Sequence, residues 1–200
     1  MTVYLDHNAT TPVRPEALEA MLPYLTTRFG NPNSAYRVGQ EARKGVEDAR
    51  AHVARLLGAR PEEIVFTSCG SESDVLAIAG AAQRSHERSG GAKRHLVTSA
   101  IEHDAVREVF KGLAKRGFEV TAVGVDGQGR VDPEAVRRAL KPETCLVSIM
   151  HSNNEVGTLQ PIAEIAALCR DRGVLVHTDA VQSAGKVPID VAALGVDLLA

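Results

Sequence analysis

Residues 145–157 read CLVSIM-HSNNEVG, an apolar run that is followed at once by a polar one. The first six residues are typical of a buried β-strand, and the next seven include a histidine, two asparagines, a glutamate and a glycine. A hydrophobic core does not require polar side chains at that point. Ligands of open α/β sheets bind just outside the carboxyl ends of the strands. The stretch therefore predicts a ligand site where this strand ends.

The rest of the chain alternates short apolar runs with amphipathic segments. Most of the runs are continuously apolar, which is typical of strands covered on both faces of a parallel sheet. The pattern predicts an α/β fold with a mostly parallel sheet and helices on both faces. Predicted strands span residues 64–67, 95–99, 119–125, 145–150, 174–178 and 196–200. Predicted helices span residues 15–27, 41–57, 71–82, 104–116 and 162–172, and one more starts at 132–133.

The sequence contains no repeat and no clear linker. We expect one main domain over residues 35–200, preceded by an N-terminal arm over residues 1–34. The last five residues read VDLLA, which is typical of a strand that has only begun. A terminal strand still needs a partner and a covering helix, so we expect the domain to be incomplete at its C-terminus.

Composition and charge narrow the class of protein. The 200 residues are 44% hydrophobic with a net charge of −2, and the Lys and Arg residues are scattered. That pattern gives no reason to expect binding to nucleic acid or to an anionic membrane. Three widely spaced cysteines, Cys69, Cys145 and Cys169, lack a Cys-x-x-Cys pair. We therefore expect a cytoplasmic protein without a disulfide framework or a metal site, in which Cys145 and Cys169 pack in the core.

Small residues follow the strand predicted at 64–67. The sequence TSCGSES at 67–73 leads into a helix, and Gly70 and Ser71 lie at its start. The N–H groups at a helix N-terminus, with hydroxyls beside them, suit a phosphate group. The alternative is an N-capped turn. The segment lacks both the Walker and the G-x-G-x-x-G fingerprints, which disfavours a nucleotide-binding module.

Three further strand ends carry polar side chains. His103 follows the second predicted strand, where it could stack on a flat ligand and move a proton, or simply cap a helix. Asn153 and Asn154 could orient a ligand that bears oxygen atoms, while His151 could be satisfied by the loop. Asp179 could hold a cationic ring nitrogen with Gln182 nearby, or it could cap the following turn. Because these strand ends share one edge of a parallel sheet, we expect one small-molecule site.

The chain resembles the cysteine desulfurases of the NifS/IscS type, which are class V, fold-type I enzymes dependent on pyridoxal 5′-phosphate (PLP). The resemblance implies the large PLP-binding domain of that fold. The stretches that carry it run in the family's order from end to end: YLDHNATTP at 4–12, FGNPNS at 29–34, FTS at 66–68, ES at 72–73, EH at 102–103, HSNNEVG at 151–157 and HTDAVQS at 177–183.

The resemblance also implies roles for individual residues. Ser71 occupies the position of a phosphate-binding threonine, and His103 that of the histidine that stacks over the cofactor ring and assists proton transfer. Asn154 corresponds to a contact with the ring oxygen and the substrate. Asp179 corresponds to the partner of the pyridinium nitrogen, and Gln182 to a second contact with the ring oxygen.

Two departures and one absence set limits on the resemblance. Cys69 stands where the family usually has glycine, and Val75 where it has asparagine. The lysine that binds PLP covalently, the nucleophilic cysteine and the arginine for the substrate carboxylate all lie beyond residue 200 in the family. Lys186 belongs to a different family element, so we do not expect it to replace that lysine. We expect the 200-residue chain to be inactive alone.

By resemblance, the complete enzyme converts L-cysteine to alanine and an enzyme persulfide. The sulfur would pass to iron–sulfur scaffold proteins or tRNA-thiolation enzymes, and the family forms homodimers. Alternatives are a related class V enzyme, either an aminotransferase or a selenocysteine lyase, and a non-catalytic PLP-binding fragment.

Overall fold

The computed structural model describes residues 3–200, so the first two residues of the predicted arm lie outside the described part. Contacts divide the chain into two compact units, residues 1–65 and residues 66–200. The predicted division at residue 35 stays a prediction. In the described part the helices are α1 Pro15–Thr26, α2 Arg37–Leu57, α3 Gly70–Arg88, α4 Asp104–Lys115, α5 Pro133–Ala139, α6 Ile162–Arg170 and α7 Val191–Leu194. The strands are β1 His95–Ser99, β2 Glu119–Val123, β3 Thr144–Ser148, β4 Leu175–Thr178 and β5 Leu198–Leu199.

The first unit consists mainly of α1 and α2. The buried positions of α2 are the small residues Gly39, Ala42 and Ala54. A Cβ atom added to Gly45 would collide with the ring of Tyr24, so the two helices are in close contact there. Helix α2 ends at Gly58, the C-cap, which adopts the left-handed conformation with φ 70° that favours glycine.

The second unit contains a five-stranded sheet in the order β2-β1-β3-β4-β5. All four pairings are parallel, which confirms the predicted fold class. Strand β1 has the predicted bounds, and all five of its residues are buried, as are those of β3.

Helices cover both faces of this sheet, as predicted. Neighbouring residues of one strand point to opposite faces, so Leu146 and Val147 belong to different hydrophobic clusters. One cluster includes α3 and α4, and the other includes α5 and α6. Cys145 and Cys169 are buried in these clusters, which confirms their predicted packing role.

The strand predicted at residues 64–67 is wrong. The segment forms no ladder with any strand among residues 3–200, and Val65 and Phe66 are exposed. An apolar run becomes a strand only where a partner accepts its backbone hydrogen bonds. Helix α7 was not predicted because it has four residues, although Asp190 caps it and Gly195 ends it at φ 70°.

Other bounds differ by a few residues. Helix α3 continues past the predicted end at residue 82 because QRSHER favours helix and the first positive-φ glycines are Gly90 and Gly91. None of the helices in residues 3–200 combines the length and the apolar character that a membrane span requires.

Candidate functional site

The loops that follow β1, β3 and β4 meet the first turn of α3 around a cavity of about 220 Å³. The three strands are neighbours in a parallel sheet, so their carboxyl ends lie side by side. All residues of the cavity belong to the second unit. Its lining includes all six predicted site residues, namely Gly70, Ser71, His103, Asn154, Asp179 and Gln182, and also Asp74, Ala105, Met150, Ser152 and Val181.

The first turn of α3 presents its backbone to this cavity. The first intrahelical hydrogen bond runs from the Ser73 N–H to the Cys69 carbonyl at 3.2 Å. The N–H groups before Ser73 in this turn therefore have no acceptor within the helix. A Cβ atom at Gly70 would lie 2.7 Å from Cγ2 of Val181. Only a glycine therefore lets Val181 approach the helix this closely.

Glu72 stabilises the loop before α3 and is not among the residues that line the cavity. Its carboxylate accepts hydrogen bonds from the N–H and the hydroxyl of Ser68, both at 2.6 Å. These bonds lower the pKa of Glu72. Cys69, at the N-cap, makes no side-chain capping bond and is exposed. The N-cap of α3 therefore lacks a side-chain capping bond, and the predicted anion cradle stays a prediction.

His103 caps a helix, which is one of the two alternatives that the sequence left open, and its ligand role stays a prediction. It is the N-cap of α4, where its Nδ1 atom accepts a hydrogen bond from the Ala105 N–H at 3.2 Å. The same ring lines the cavity. Because Nδ1 is an acceptor, the ring proton of the neutral imidazole lies on Nε2.

The two asparagines have different surroundings, and the ligand role predicted for Asn153 stays a prediction, because Asn153 lines a neighbouring cavity of about 710 Å³. Its side chain is buried; Oδ1 accepts from the N–H groups of Glu155 and Val156 at 2.9 and 3.0 Å, and Nδ2 donates to the Ile101 carbonyl at 3.1 Å. These bonds fold the loop and leave Asn153 without a place in the 220 Å³ cavity. Asn154 does line that cavity.

His151 has a structural partner. Its Nδ1 atom lies 2.9 Å from the Ser183 hydroxyl, and both residues are buried. Burial lowers the pKa of His151, so the ring is neutral at neutral pH. The hydrogen bond joins the loop after β3 to the loop after β4 and positions both beside the cavity.

Asp179 is buried, with 6% of its surface exposed, and lines the cavity. Its Oδ1 atom accepts from the Val181 N–H at 2.9 Å. Burial raises the pKa of Asp179, while the Val181 N–H and the His103 ring oppose that shift. Asp179 therefore bonds the backbone of the following turn and also lines the cavity.

Lys186 has a partner among the residues that line the cavity. Its ammonium group donates to Oε1 of Gln182 at 3.0 Å. Lys186 itself is exposed and is not among the lining residues. The expectation that it does not replace the missing lysine stays a prediction.

Sequence reasoning missed Asp74, a lining residue with only 1% of its surface exposed. Its Oδ1 atom lies 3.6 Å from Nε2 of His177, and neither atom has a hydrogen-bond partner among the described residues. A signal was present, because Asp74, Ile78 and Ala82 are the buried positions of α3 and follow a spacing of four residues. An acid in an apolar helical stripe indicates a special environment.

Glu102 is the second missed acid, with 3% of its surface exposed. Its Oε1 atom accepts from the Ser99 hydroxyl and from the Met150 N–H. Burial raises the pKa of Glu102 to about 7. A neighbouring cavity of about 710 Å³ is lined by Glu102 and shares His103 and Asn154 with the first one.

Chemically, the 220 Å³ cavity offers helix N–H groups for an anion, a buried carboxylate for a cation and an imidazole for a flat ring. That set of donors and acceptors fits a phosphorylated, aromatic, cationic molecule. The roles of individual residues toward such a molecule stay predictions.

Comparisons with known proteins give the family. The model of the family described as aminotransferase class-V matches residues 3–200. Cysteine desulfurase IscS of Dictyoglomus turgidum is 47% identical over 98% of this chain and 49% of its own length. The mitochondrial cysteine desulfurase of Arthroderma benhamiae is 48% identical over 98% of this chain and 39% of its own length. The chain thus spans about half the length, or less, of these curated relatives.

Solved structures agree with these relatives. A NifS-like protein superposes with a TM-score of 0.93 at 43% identity, over 100% of this chain and 54% of that one. A structure described as SspA in complex with cysteine gives a TM-score of 0.93 at 40% identity, over 99% of this chain and 56% of that one. The predicted resemblance and fold are confirmed, and the chain belongs to the class-V aminotransferase family.

Proposed function

We propose that this chain forms the cofactor-binding part of a PLP-dependent cysteine desulfurase. One observation carries the proposal: six residues from four separate segments, selected from the sequence alone, line a single cavity at the carboxyl edge of the sheet. The similarity to proteins named cysteine desulfurase, at 47–51% identity, supports the choice of reaction.

The fit to PLP is supported by the chemistry of the lining. Gly70 and Ser71 would hold the phosphate at the N-terminus of α3, because unpaired N–H groups and a hydroxyl suit an anion. Asp179 would hold the ring nitrogen, Asn154 and Gln182 the ring oxygen, and His103 would stack on the ring. When bound, PLP supplies an electron sink for bonds at the substrate carbon.

The protein's own residues would orient these groups and handle protons. A buried carboxylate such as Asp179 favours the cationic form of a ring nitrogen beside it. In the neutral ring Nε2 of His103 would carry the proton and donate a hydrogen bond, and a second proton would have to enter at Nδ1, which accepts from the Ala105 N–H. Asn154 would contact the substrate, and it borders the neighbouring 710 Å³ cavity as well, which gives L-cysteine a route toward the site.

For the whole protein we propose removal of sulfur from L-cysteine, with alanine and an enzyme persulfide as products. The nucleophilic cysteine would come from the half that the relatives possess beyond the matched part. Cys69 is exposed and is not in the cavity lining. The sulfur would go to iron–sulfur scaffold or tRNA-thiolation proteins. A homodimer in the cytoplasm is the expected form, although one relative is mitochondrial by name.

For the 200 residues alone we propose PLP binding without turnover. The cavity lining contains no lysine, and Lys186 bonds to Gln182 instead. A related class V activity, as an aminotransferase or a selenocysteine lyase, would use the same cofactor cavity. The reaction products separate these alternatives.

The test compares a full-length version with the 200-residue chain. We expect the full-length protein to convert L-cysteine to equal amounts of alanine and sulfide in the presence of PLP and a reductant. The 200-residue chain should change the visible absorbance of PLP and release no alanine. A full-length protein that binds PLP but transaminates would contradict the desulfurase assignment. Turnover by the short chain would make Lys186→Ala and Cys69→Ala the next variants.

A further inference from the structure

Two carboxyl groups line the same 220 Å³ cavity. Asp74 reaches it from α3 and Asp179 from the loop after β4. Both are buried, with 1% and 6% of their surfaces exposed. Two negative charges in a poorly solvated site repel each other, so one carboxyl group of such a pair tends to keep its proton.

A second observation is consistent with Asp74 as the group that keeps the proton. Its Oδ1 atom faces Nε2 of His177 at 3.6 Å, and both atoms are buried without a hydrogen-bond partner among the described residues. On the other side of the ring, Nδ1 of His177 lies 2.8 Å from the Ser148 hydroxyl. One proton between Asp74 and His177 would satisfy both unpaired atoms, whereas two lone pairs facing each other would satisfy neither.

The charges around Asp74 favour the same assignment. Burial, and then the negative charge of Asp179, raise the pKa of Asp74 to about 7. Burial lowers the pKa of His177 to about 3. The separation of 3.6 Å is short enough for an ion pair, but both shifts favour the uncharged forms of Asp74 and His177. The other ionisable groups nearby are Glu102, which is coupled to both aspartates, and His103, which acts on Asp179.

We propose that Asp74 is a positioning residue that acts on the cofactor through Asp179, as a neutral acid bridged by one proton to His177. Asp179 then carries the charge of the pair. The inference rests on the proposed function, because it takes Asp179 as the partner of a cationic ring nitrogen. It adds a residue to that site and explains why an acid occupies the buried stripe of α3.

This arrangement couples the protonation of Asp74 to the binding of a cationic ligand beside Asp179. The charge of Asp179 holds the proton on Asp74, and a cation beside Asp179 would neutralise that charge and make Asp74 more acidic. Coupling between two sites is reciprocal. Ionisation of Asp74 should therefore strengthen the binding of a cationic ring, and the affinity should increase as the pH rises through the titration of Asp74.

The first experiment follows the carboxyl carbons by ¹³C NMR and the His177 ring nitrogens by ¹⁵N NMR in the 200-residue chain. We expect Asp74 to titrate near pH 7, well apart from exposed aspartates, and His177 to be a neutral imidazole at pH 7. In Asp179→Asn the midpoint of Asp74 should fall by about one unit, the scale of a nearby-charge effect. Asp171→Asn, the same substitution at an exposed position of the same unit, should leave it unchanged.

Three results would overturn the inference: an Asp74 carboxylate already ionised at pH 5, an imidazolium at His177 at pH 7, or a midpoint that Asp179→Asn does not move. The first two are read in the unmutated chain, so they do not depend on how a variant folds. The pKa values of Asp74 and Glu102 are both raised to about 7, so the variant Glu102→Gln is used to assign the Asp74 signal in the NMR titration.

The second experiment measures PLP affinity by visible absorbance at pH 5.5 to 8.5 for the unmutated chain and for Asp74→Asn. PLP has titrating groups of its own, and their effect on affinity cancels when the affinities of the two proteins are compared as a ratio at each pH. Because asparagine imitates the neutral acid, we expect equal affinities at pH 5.5 and about fivefold weaker binding by the variant at pH 8.5, at the low end of typical couplings. A ratio of one at every pH would overturn the role of Asp74. Absence of PLP binding by the unmutated chain would overturn the proposed function and this cofactor step, while the NMR still decides the carboxyl pair.

Discussion

Oε1 of Glu102 accepts a hydrogen bond from the N–H of Met150 at 3.0 Å, across 48 residues of sequence. The same oxygen accepts from the Ser99 hydroxyl, so one buried carboxyl group joins the loop after β1 to the end of β3. Those two strands are neighbours, and the residues that follow them, His103 and Asn154, both line the cavity. Glu102 therefore holds two parts of the site at a fixed separation.

Glu102→Ala should destabilise the second unit. The substitution leaves the buried Met150 N–H without its acceptor, which costs about 1–3 kcal/mol. Urea unfolding at pH 6 measures the free energy. Glu87→Ala, at an exposed position late in α3, should change it by less than about 0.5 kcal/mol. Equal losses in the two variants would show that Glu102 does not join the loops.

The stability of the chain should respond to pH through Asp74 and His177, in opposite directions. The pKa of Asp74 is raised to about 7 in the folded state. Its stabilising contribution is therefore complete below its unfolded pKa, about 4, and is lost as the pH rises to about 7. The pKa of His177 is lowered to about 3, so its contribution is complete above about 6.5 and is lost as the pH falls.

Between about pH 4 and pH 6.5 the two effects oppose each other in the unmutated chain. Asp74→Asn removes one of them, so its unfolding free energy should increase with pH more steeply than that of the unmutated chain, by up to about 1.4 kcal/mol per pH unit. Urea unfolding at pH 4.5, 5.5 and 6.5 measures this difference, with Asp171→Asn as the control. If the unfolding free energies of Asp74→Asn and of the unmutated chain changed with pH in parallel, the proposed protonation of Asp74 beside His177 would be contradicted.

Two glycines of α3 should differ sharply when each is changed to alanine. Gly70→Ala places a Cβ atom 2.7 Å from Cγ2 of Val181, so Val181 must move within the cavity lining. We expect PLP binding to weaken several-fold, and Val181→Ala to restore it in the double variant. Gly80→Ala meets no atom within 4 Å and should stabilise the helix by about 0.5–1 kcal/mol without changing PLP affinity. Similar effects of the two single variants on PLP affinity would refute the close approach.

The adjacent asparagines should separate folding from binding. Asn153→Ala removes the acceptor of two backbone N–H groups and the donor to Ile101, so we expect a loss of about 2 kcal/mol in unfolding free energy. Asn154→Ala should change stability by less than about 0.5 kcal/mol and weaken PLP binding. Thermal unfolding and a PLP titration of both variants measure the contrast. A stable Asn153→Ala variant with weak PLP binding, together with a destabilised Asn154→Ala variant, would contradict the prediction.

The fold was predictable because its strands are continuous apolar runs. Strand β1 has the predicted bounds, but β3 ends at Ser148 rather than at residue 150. The reason is that Ile149 and Met150 are buried after the ladder has ended, and burial alone does not reveal pairing. The strand wrongly predicted at residues 64–67 is likewise an apolar run that lacks a pairing partner among the described residues.

The site was predictable as far as topology decides it. Polar residues after adjacent parallel strands must share one edge, so His103, Asn154, Asp179 and Gln182 meet at one cavity, while Gly70 and Ser71 reach it from the start of α3. The division between Asn153 and Asn154 was not predictable, because it depends on which side chain bonds the local backbone. Asp74 was missed because its environment comes from His177 and Asp179, about a hundred residues further along the chain.

The bond between His103 and the Ala105 amide makes the imidazole directional. The neutral ring already carries its proton on Nε2, so a second proton must enter at Nδ1, where it would deprive α4 of its cap and loosen its first turn. The amide of Ala105 is thus an internal reporter: its hydrogen exchange would register the protonation of the ring.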